Sequence, residues 1–186
     1  SWDQAKFEVC GHRFADLSQP DYGVALLNDC KYGYSIKDQV MELSLLKSSK
    51  NPDETADMGK HQFTYSLYPH EKALADSDVF AQAEELNNPA FAAEGKTDID
   101  GLFELESDGG MVDCVKHAED GNGVIVRCHE CRGKNTEVRI YLNGKRADIV
   151  RCNLLEEPEG KAEEASEIST VLKPFEIRSY RIVKKD

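Results

Sequence analysis

The sequence predicts an all-β protein, an antiparallel β-sandwich with one short helix. Three observations carry that expectation. Apolar residues recur with a period of two along most of the chain. The apolar runs are short and are cut by Gly, Pro and Asn-Asp signals. Only one stretch has helical composition. About eight or nine short strands with apolar faces are buried most simply by packing two sheets together.

The elements follow in order. "FEVCGHRFADL" reads as a strand from Phe7 to Phe14, and "YGVALLND" as an apolar strand ended by Asn28-Asp29. "VMELSLLK" has the density of a strand packed in a sandwich. "NPDETADMG", residues 51–59, is a polar loop, and "HQFTYSLYPH" places Phe63, Tyr65 and Leu67 on one face. Val79, Ala83 and Leu86 fall on one stripe, so a helix is expected over about 76–87, capped by Asp76 or Ser77. A second strand set follows in "MVDCVKHAE", "GNGVIVRCHEC", "NTEVRIYL" and "ADIVRCNLLE". The acidic stretch 156–168 reads as a flexible loop. Pro174 implies an edge strand or a strand start near the end of the chain. The whole of 1–186 is read as a single sandwich domain.

The 186 residues are enough to bury a core, and 31% charged against 40% apolar is an ordinary globular balance. The net charge is -12. Ten acidic residues and a single base, Lys96, lie between Asp76 and Asp108, which argues against nucleic acid as a partner. No run approaches membrane-spanning length, and "SWDQAKFEV" has no apolar signal core, so neither a membrane nor secretion is expected. The six cysteines are then expected as free thiols in a reducing, cytoplasmic setting.

Four features could carry chemistry. "CHEC", Cys128 to Cys131, has the spacing of a metal knuckle, but it ends a strand, where residues three apart face opposite ways, and no second pair accompanies it. His12 and Asp16 are four apart, and His61 follows a loop holding Asp53 and Asp57; such groups build bases or, more often, hydrogen-bonded pairs. No nucleophile elbow or phosphate-binding glycine loop is present. The loop "NDCKYG" combines Asn28 and Asp29 with Lys31 and Tyr32 at a strand end. Carboxylates, amides and an aromatic ring are the mixture that holds sugars, and they are equally the mixture of an ordinary polar turn.

Several motifs in fixed order carry a resemblance. "GHRFADLSQPDYGVALLNDCKYGYS" closely resembles the C-terminal region of glycoside hydrolase family 38 α-mannosidases, above all their cytosolic, vacuolar and bacterial branch. "LSLLKSSKNPDETADMGKHQFTYSLYPH", "ELNNPAFA", "VKHAEDGNGVIVRCHECRG" and "LKPFEIRSYRI" continue the match in order. The resemblance implies a galactose mutarotase-like, glycosidase C-terminal sandwich that is part of a larger multidomain enzyme. It implies a retaining mechanism whose Asp nucleophile, acid and divalent metal, usually zinc, belong to an N-terminal catalytic domain. No catalytic residue, metal ligand or cofactor is therefore assigned to this chain. Its partners are expected to be that catalytic domain and a mannoside substrate, and homo-oligomer formation is compatible with this picture. Asn28, Asp29, Lys31 and Tyr32 are the implied substrate-rim residues. The family accepts apolar residues at the Cys128 and Cys131 positions, which implies packing there. The alternatives are a non-catalytic carbohydrate-binding module and a purely structural scaffold.

Overall fold

The period-two pattern becomes two separate sets of sheets in the computed structural model, which describes residues 2, 6–96, 101, 103–143 and 145–184. The chain divides into two compact units, Ser1–Ala93 and Glu94–Asp186, each with its own core.

In the first unit β2 (Phe14–Ser18), β3 (Tyr22–Asn28) and β6 (Tyr65–Glu71) form an antiparallel sheet with β3 in the centre. Leu27 stands opposite Phe14 and Ser66, and Ala25 opposite Asp16 and Tyr68, so one face presents Phe14, Ala25, Leu27 and Tyr68. The helix α1 (Val79–Asn87) covers that face and buries Val79 and Ala83 against Ala25 and Leu27. Its start is later than the expected 76. Ser77 Oγ donates to the Leu74 carbonyl at 2.8 Å, beside a 3-10 turn over Leu74–Asp76, and accepts the Val79 N–H at 3.3 Å. One side chain therefore links the tight turn to the first helical N–H, while the N-cap position itself falls on Asp78, not on the expected Asp76 or Ser77, and makes no side-chain cap bond.

Further along the same face His70 Nε2 meets Asp16 at 2.8 Å, with side chains 1% and 3% exposed. Gly23 lies beneath the ring, where a Cβ would stand 2.5 Å from the imidazole. Burial opposes charge on His70, but the hydrogen bonds to Asp16 and the Glu71 carbonyl outweigh it, and its pKa is raised.

The expected strand from Phe7 to Phe14 is broken. β1 (Val9–Cys10) joins β4 (Gly33–Lys37) and β5 (Val40–Leu43) in a second sheet, while β2 belongs to the first. The break falls at Arg13, whose φ of 69° turns the chain between the two. The "VMELSLLK" segment is strand only as far as Leu43.

The second unit is a sandwich. β8 (Gly110–His117), β9 (Val124–Glu130), β11 (Ala147–Cys152), β12 (Glu163–Ala165) and β14 (Ile177–Lys184) form a sheet in the order β12-β11-β14-β9-β8. β7 (Glu104–Glu106), β10 (Thr136–Tyr141) and β13 (Glu167–Leu172) form the other, with β10 in the centre. The "TEVRIY" alternation buries Thr136, Val138 and Ile140 and exposes Glu137 and Arg139. Val138, Ile140, Ile168 and Leu172 pack with Val126, Cys128, Tyr180 and Ile182 into one core.

One expectation fails here and another is narrowed. The acidic stretch 156–168 is not a loop throughout: Glu163–Ala165 pairs with Ala147–Ile149 as an edge strand, and Ile168 is a buried residue of β13. Charged residues suit an edge because they discourage further pairing. Of the two readings of Pro174, the strand start holds and the edge does not: Pro174 shortly precedes β14, which is a central strand between β11 and β9.

Candidate functional site

Strand β3 is the source of the site. Its buried residues Ala25, Leu26 and Leu27 fix it in the first sheet, so the polar residues that follow emerge at a sheet end. Asn28 is the anchor and is fully buried. Its N–H donates to the Arg13 carbonyl at 2.8 Å. Its side-chain oxygen accepts the Lys31 N–H at 2.6 Å, and its amide NH2 donates to the Tyr34 hydroxyl. Its carbonyl accepts Asn87 Nδ2 at 3.0 Å, which ties the loop to the last residue of α1. Asn28 thus holds the loop's shape, and its side chain faces inward.

The other three predicted residues reach the surface. Both carboxylate oxygens of Asp29 accept the Thr64 N–H at 3.0 Å, and the Asp29 N–H donates to the Thr64 carbonyl at 3.2 Å. The Cys30 thiol hydrogen bond, and then the Thr64 N–H, lower the Asp29 pKa. The same bond raises the pKa of the Cys30 thiol. Asp29 is therefore an ionised acceptor at neutral pH and is unsuited to act as a proton donor. Lys31 Nζ lies 4.8 Å from the centroid of the Phe63 ring, a cation–π contact. Tyr32 is 48% exposed, and its ring stacks on His12 with centroids 4.7 Å apart.

A negatively charged acceptor, a mobile ammonium and an exposed aromatic pair stand on one short loop. That set can accept sugar hydroxyl protons, donate to sugar oxygens and cover a C–H face. His12, Phe63, Thr64 and Asn87 complete it, and no local sequence signal places them there. Phe63 lies in an alternating segment, and His12 is spaced as if to pair with Asp16. The sheet register instead gives Asp16 to His70 and leaves His12 for Tyr32. His61 contacts the Asp57 carbonyl at 2.6 Å in the exposed loop.

"CHEC" has a different role from a metal knuckle. Cys128 is buried in the core, its pKa pushed up to about 11 by burial. Cys131 Sγ contacts the Gly109 carbonyl at 3.2 Å. His129 Nδ1 meets Asp113 at 2.7 Å. The residue that organises the motif is Glu130. It is fully buried, and its carboxylate accepts the N–H groups of Arg132, Gly133 and Phe175 at 2.7, 2.8 and 2.9 Å. Among the described residues no group of three or more His, Cys, Asp or Glu side chains is placed to hold a metal ion. The divalent ion that the resemblance implies has no donor set among them.

Comparison with known proteins agrees with this architecture. Residues 1–55 match the model of the glycosyl hydrolases family 38 C-terminal domain. Residues 111–180 match that of the glycosyl hydrolases family 38 C-terminal beta sandwich domain. Fold and matches together define the chain as the β-rich C-terminal region of a glycoside hydrolase. The chain belongs to family 38. It is 42% identical over 194 residues to α-mannosidase G of Dictyostelium discoideum, a match covering 98% of this chain and 18% of that protein. It is 35% identical over 193 residues to α-mannosidase 2C1 of Homo sapiens, covering 98% of this chain and 19% of the relative. The α-mannosidase of Saccharomyces cerevisiae is 36% identical over 210 residues, again with 98% and 19% covered. The chain thus spans about a fifth of the length of the curated relatives it matches. A solved structure of a family 38 protein from Enterococcus faecalis shares the fold with a TM-score of 0.75 at 21% identity, over 94% of this chain and 22% of that one.

Proposed function

We propose that the protein carrying this chain is a retaining α-mannosidase that hydrolyses terminal α-mannosidic linkages in oligosaccharides. The observation that carries this reading is the 35–42% identity, across 98% of the chain, to proteins named α-mannosidases. The chain's part is to supply one wall of the sugar site and a scaffold for the rest. Asp29 accepts hydroxyl protons of the substrate, Lys31 donates to its oxygens, and Tyr32, stacked on His12, covers a C–H face. Asn28 keeps the loop in the conformation that presents them. The nucleophile, the general acid and the ligands of a divalent metal belong to the catalytic domain of the same protein, and the two units described here act with it as one C-terminal region.

The scaffold role has its own support. Opposite the helix-covered face of the first sheet, β6 presents Tyr65 and Leu67, which are 55% and 67% exposed, beside Leu17 of β2. An apolar surface of this kind fits a buried contact in a larger assembly. No helix among the described residues is long and apolar enough to cross a membrane. Six free cysteines, including exposed Cys10 and Cys30, support a reducing, cytoplasmic setting.

The test is turnover of an aryl α-mannoside by the 186-residue chain alone, with and without added zinc, beside the full-length enzyme. The expected result is activity in the full-length enzyme and none in the chain. Turnover by the purified chain would overturn the assignment of the catalytic groups to another domain. Inactivity of the full-length enzyme on mannosides would overturn the activity itself.

A further inference from the structure

At one end of the second unit, lined from both sheets, lies a cavity of about 330 Å3. Val124, Ala147 and Ile182 line it from the larger sheet, and Leu142 and Phe103 from the other side; all five pack in or against the sandwich core. The lip is different in kind. Lys145 and Lys184 stand there with Arg146 and His117. The sheet register sets these neighbours: Val124 is opposite both His117 and Ile182, and Ala147 is opposite Lys184. Gly123 lets the β8–β9 hairpin close against β14, since its φ is 94° and a Cβ would stand 2.4 Å from the Ile182 carbonyl.

The charge pattern runs against that of the whole chain. With 35 acidic and 23 basic residues, a random lining would be acidic. Among the described residues no Asp or Glu lines this cavity. Arg146 is already committed: its Nε donates to Glu164 Oε1 at 2.9 Å, and another guanidinium N–H donates to the Glu164 carbonyl at 3.3 Å. Lys145 and Lys184 have no ion pair among the described residues. Two exposed lysines therefore border an otherwise largely apolar lining. A neutral sugar is poorly matched to such a lining, which offers neither carboxylate nor amide side chains. An anion fits the lip, and an apolar body fits the floor, where the lower dielectric strengthens the charge contact.

We propose that this cavity is a binding site for a small organic anion with an apolar body, its charge held by Lys145 and Lys184 and its body against Val124, Ile182 and Phe103. This site is independent of the sugar rim, and its failure would leave the mannosidase reading untouched.

The experiment is calorimetric titration of the full-length protein with 4-phenylbutanoate and with the neutral 4-phenylbutanamide. The expected result is that the acid binds about tenfold or more tightly than the amide. The double variant Lys145→Glu, Lys184→Glu weakens the acid by a further factor of about ten, with an unchanged melting temperature. The double variant Lys145→Arg, Lys184→Arg keeps its affinity within about threefold. Absence of binding, equal binding of acid and amide, or undiminished binding by the Glu variant would overturn the proposal.

Discussion

Replacing Glu130 with alanine lowers stability by about 3 kcal/mol or more, the largest single-residue effect expected outside the apolar core. The carboxylate is fully buried and accepts three backbone N–H groups, from Arg132, Gly133 and Phe175, with Thr136 Oγ1 at 3.3 Å as a further donor. The donors come from two different turns, one after β9 and one before β14, so this single side chain fastens both. Alanine leaves them buried without an acceptor, at about 1–3 kcal/mol each. Glu130→Gln keeps the shape but turns an NH2 toward one set of donors, so it also destabilises, though less. Burial opposes ionisation of Glu130, yet the backbone donors outweigh it and its pKa is lowered. A depressed carboxylate pKa contributes stability that is fully present above the unfolded value and is lost as pH falls through the folded one. Wild type should therefore lose stability below about pH 4.3, and Glu130→Gln should lose less over that window. Denaturation followed by circular dichroism at neutral and acid pH reads both effects. An alanine variant within about 0.5 kcal/mol of wild type would contradict the account.

Replacing Asp29 with asparagine in the full-length enzyme lowers kcat/KM by about ten- to a hundredfold while leaving the melting temperature nearly unchanged. The asymmetry follows from geometry. The asparagine side chain would keep one oxygen for the Thr64 N–H, so the backbone tie at 3.0 Å survives. The lost quantity is charge: the Cys30 thiol and the Thr64 N–H hold Asp29 ionised, and a charged acceptor contributes about 1.5–3 kcal/mol to a hydrogen bond with a sugar hydroxyl. Because the lowered pKa keeps the carboxylate ionised well below neutrality, the wild-type contribution should stay flat through neutral pH and fade only in acid. Equal loss of folding, with unchanged kinetics in the folded fraction, would contradict the substrate-facing role.

The strands with one buried face were legible because their alternation is local. "TEVRIY" needs no partner to be read, and "YGVALLN" announces a central strand by its apolar run. The polar turn after β3 was legible by composition, since Asn28-Asp29 ends an apolar strand and Asp29, Lys31 and Tyr32 all reach the surface. The inward role of Asn28 was not legible, because nothing local shows that Tyr34, Arg13 and Asn87 converge on it. Long-range register hid the rest. His12 and Asp16 look like a pair at spacing four, yet Asp16 bonds His70, 54 residues away. The acidic stretch reads as a loop because an edge strand and a solvated loop have the same composition. In "CHEC" the thiols draw the eye, whereas the buried carboxylate between them organises two turns.

In the proposed enzyme the loop after β3 forms one wall of a sugar site completed by another domain. Cys30 offers a direct reporter, since its thiol is exposed within that loop and bonds Asp29. The measurement is the rate of Cys30 alkylation in the full-length enzyme, followed by mass spectrometry, with and without saturating thio-linked mannobiose that cannot be hydrolysed. Cys10, also exposed, is the internal control. Bound sugar should slow alkylation of Cys30 several-fold, by about tenfold at near-saturation, and leave Cys10 unchanged. Equal alkylation of Cys30 with and without the saccharide, at concentrations that inhibit turnover, would contradict the placement of this loop at the substrate.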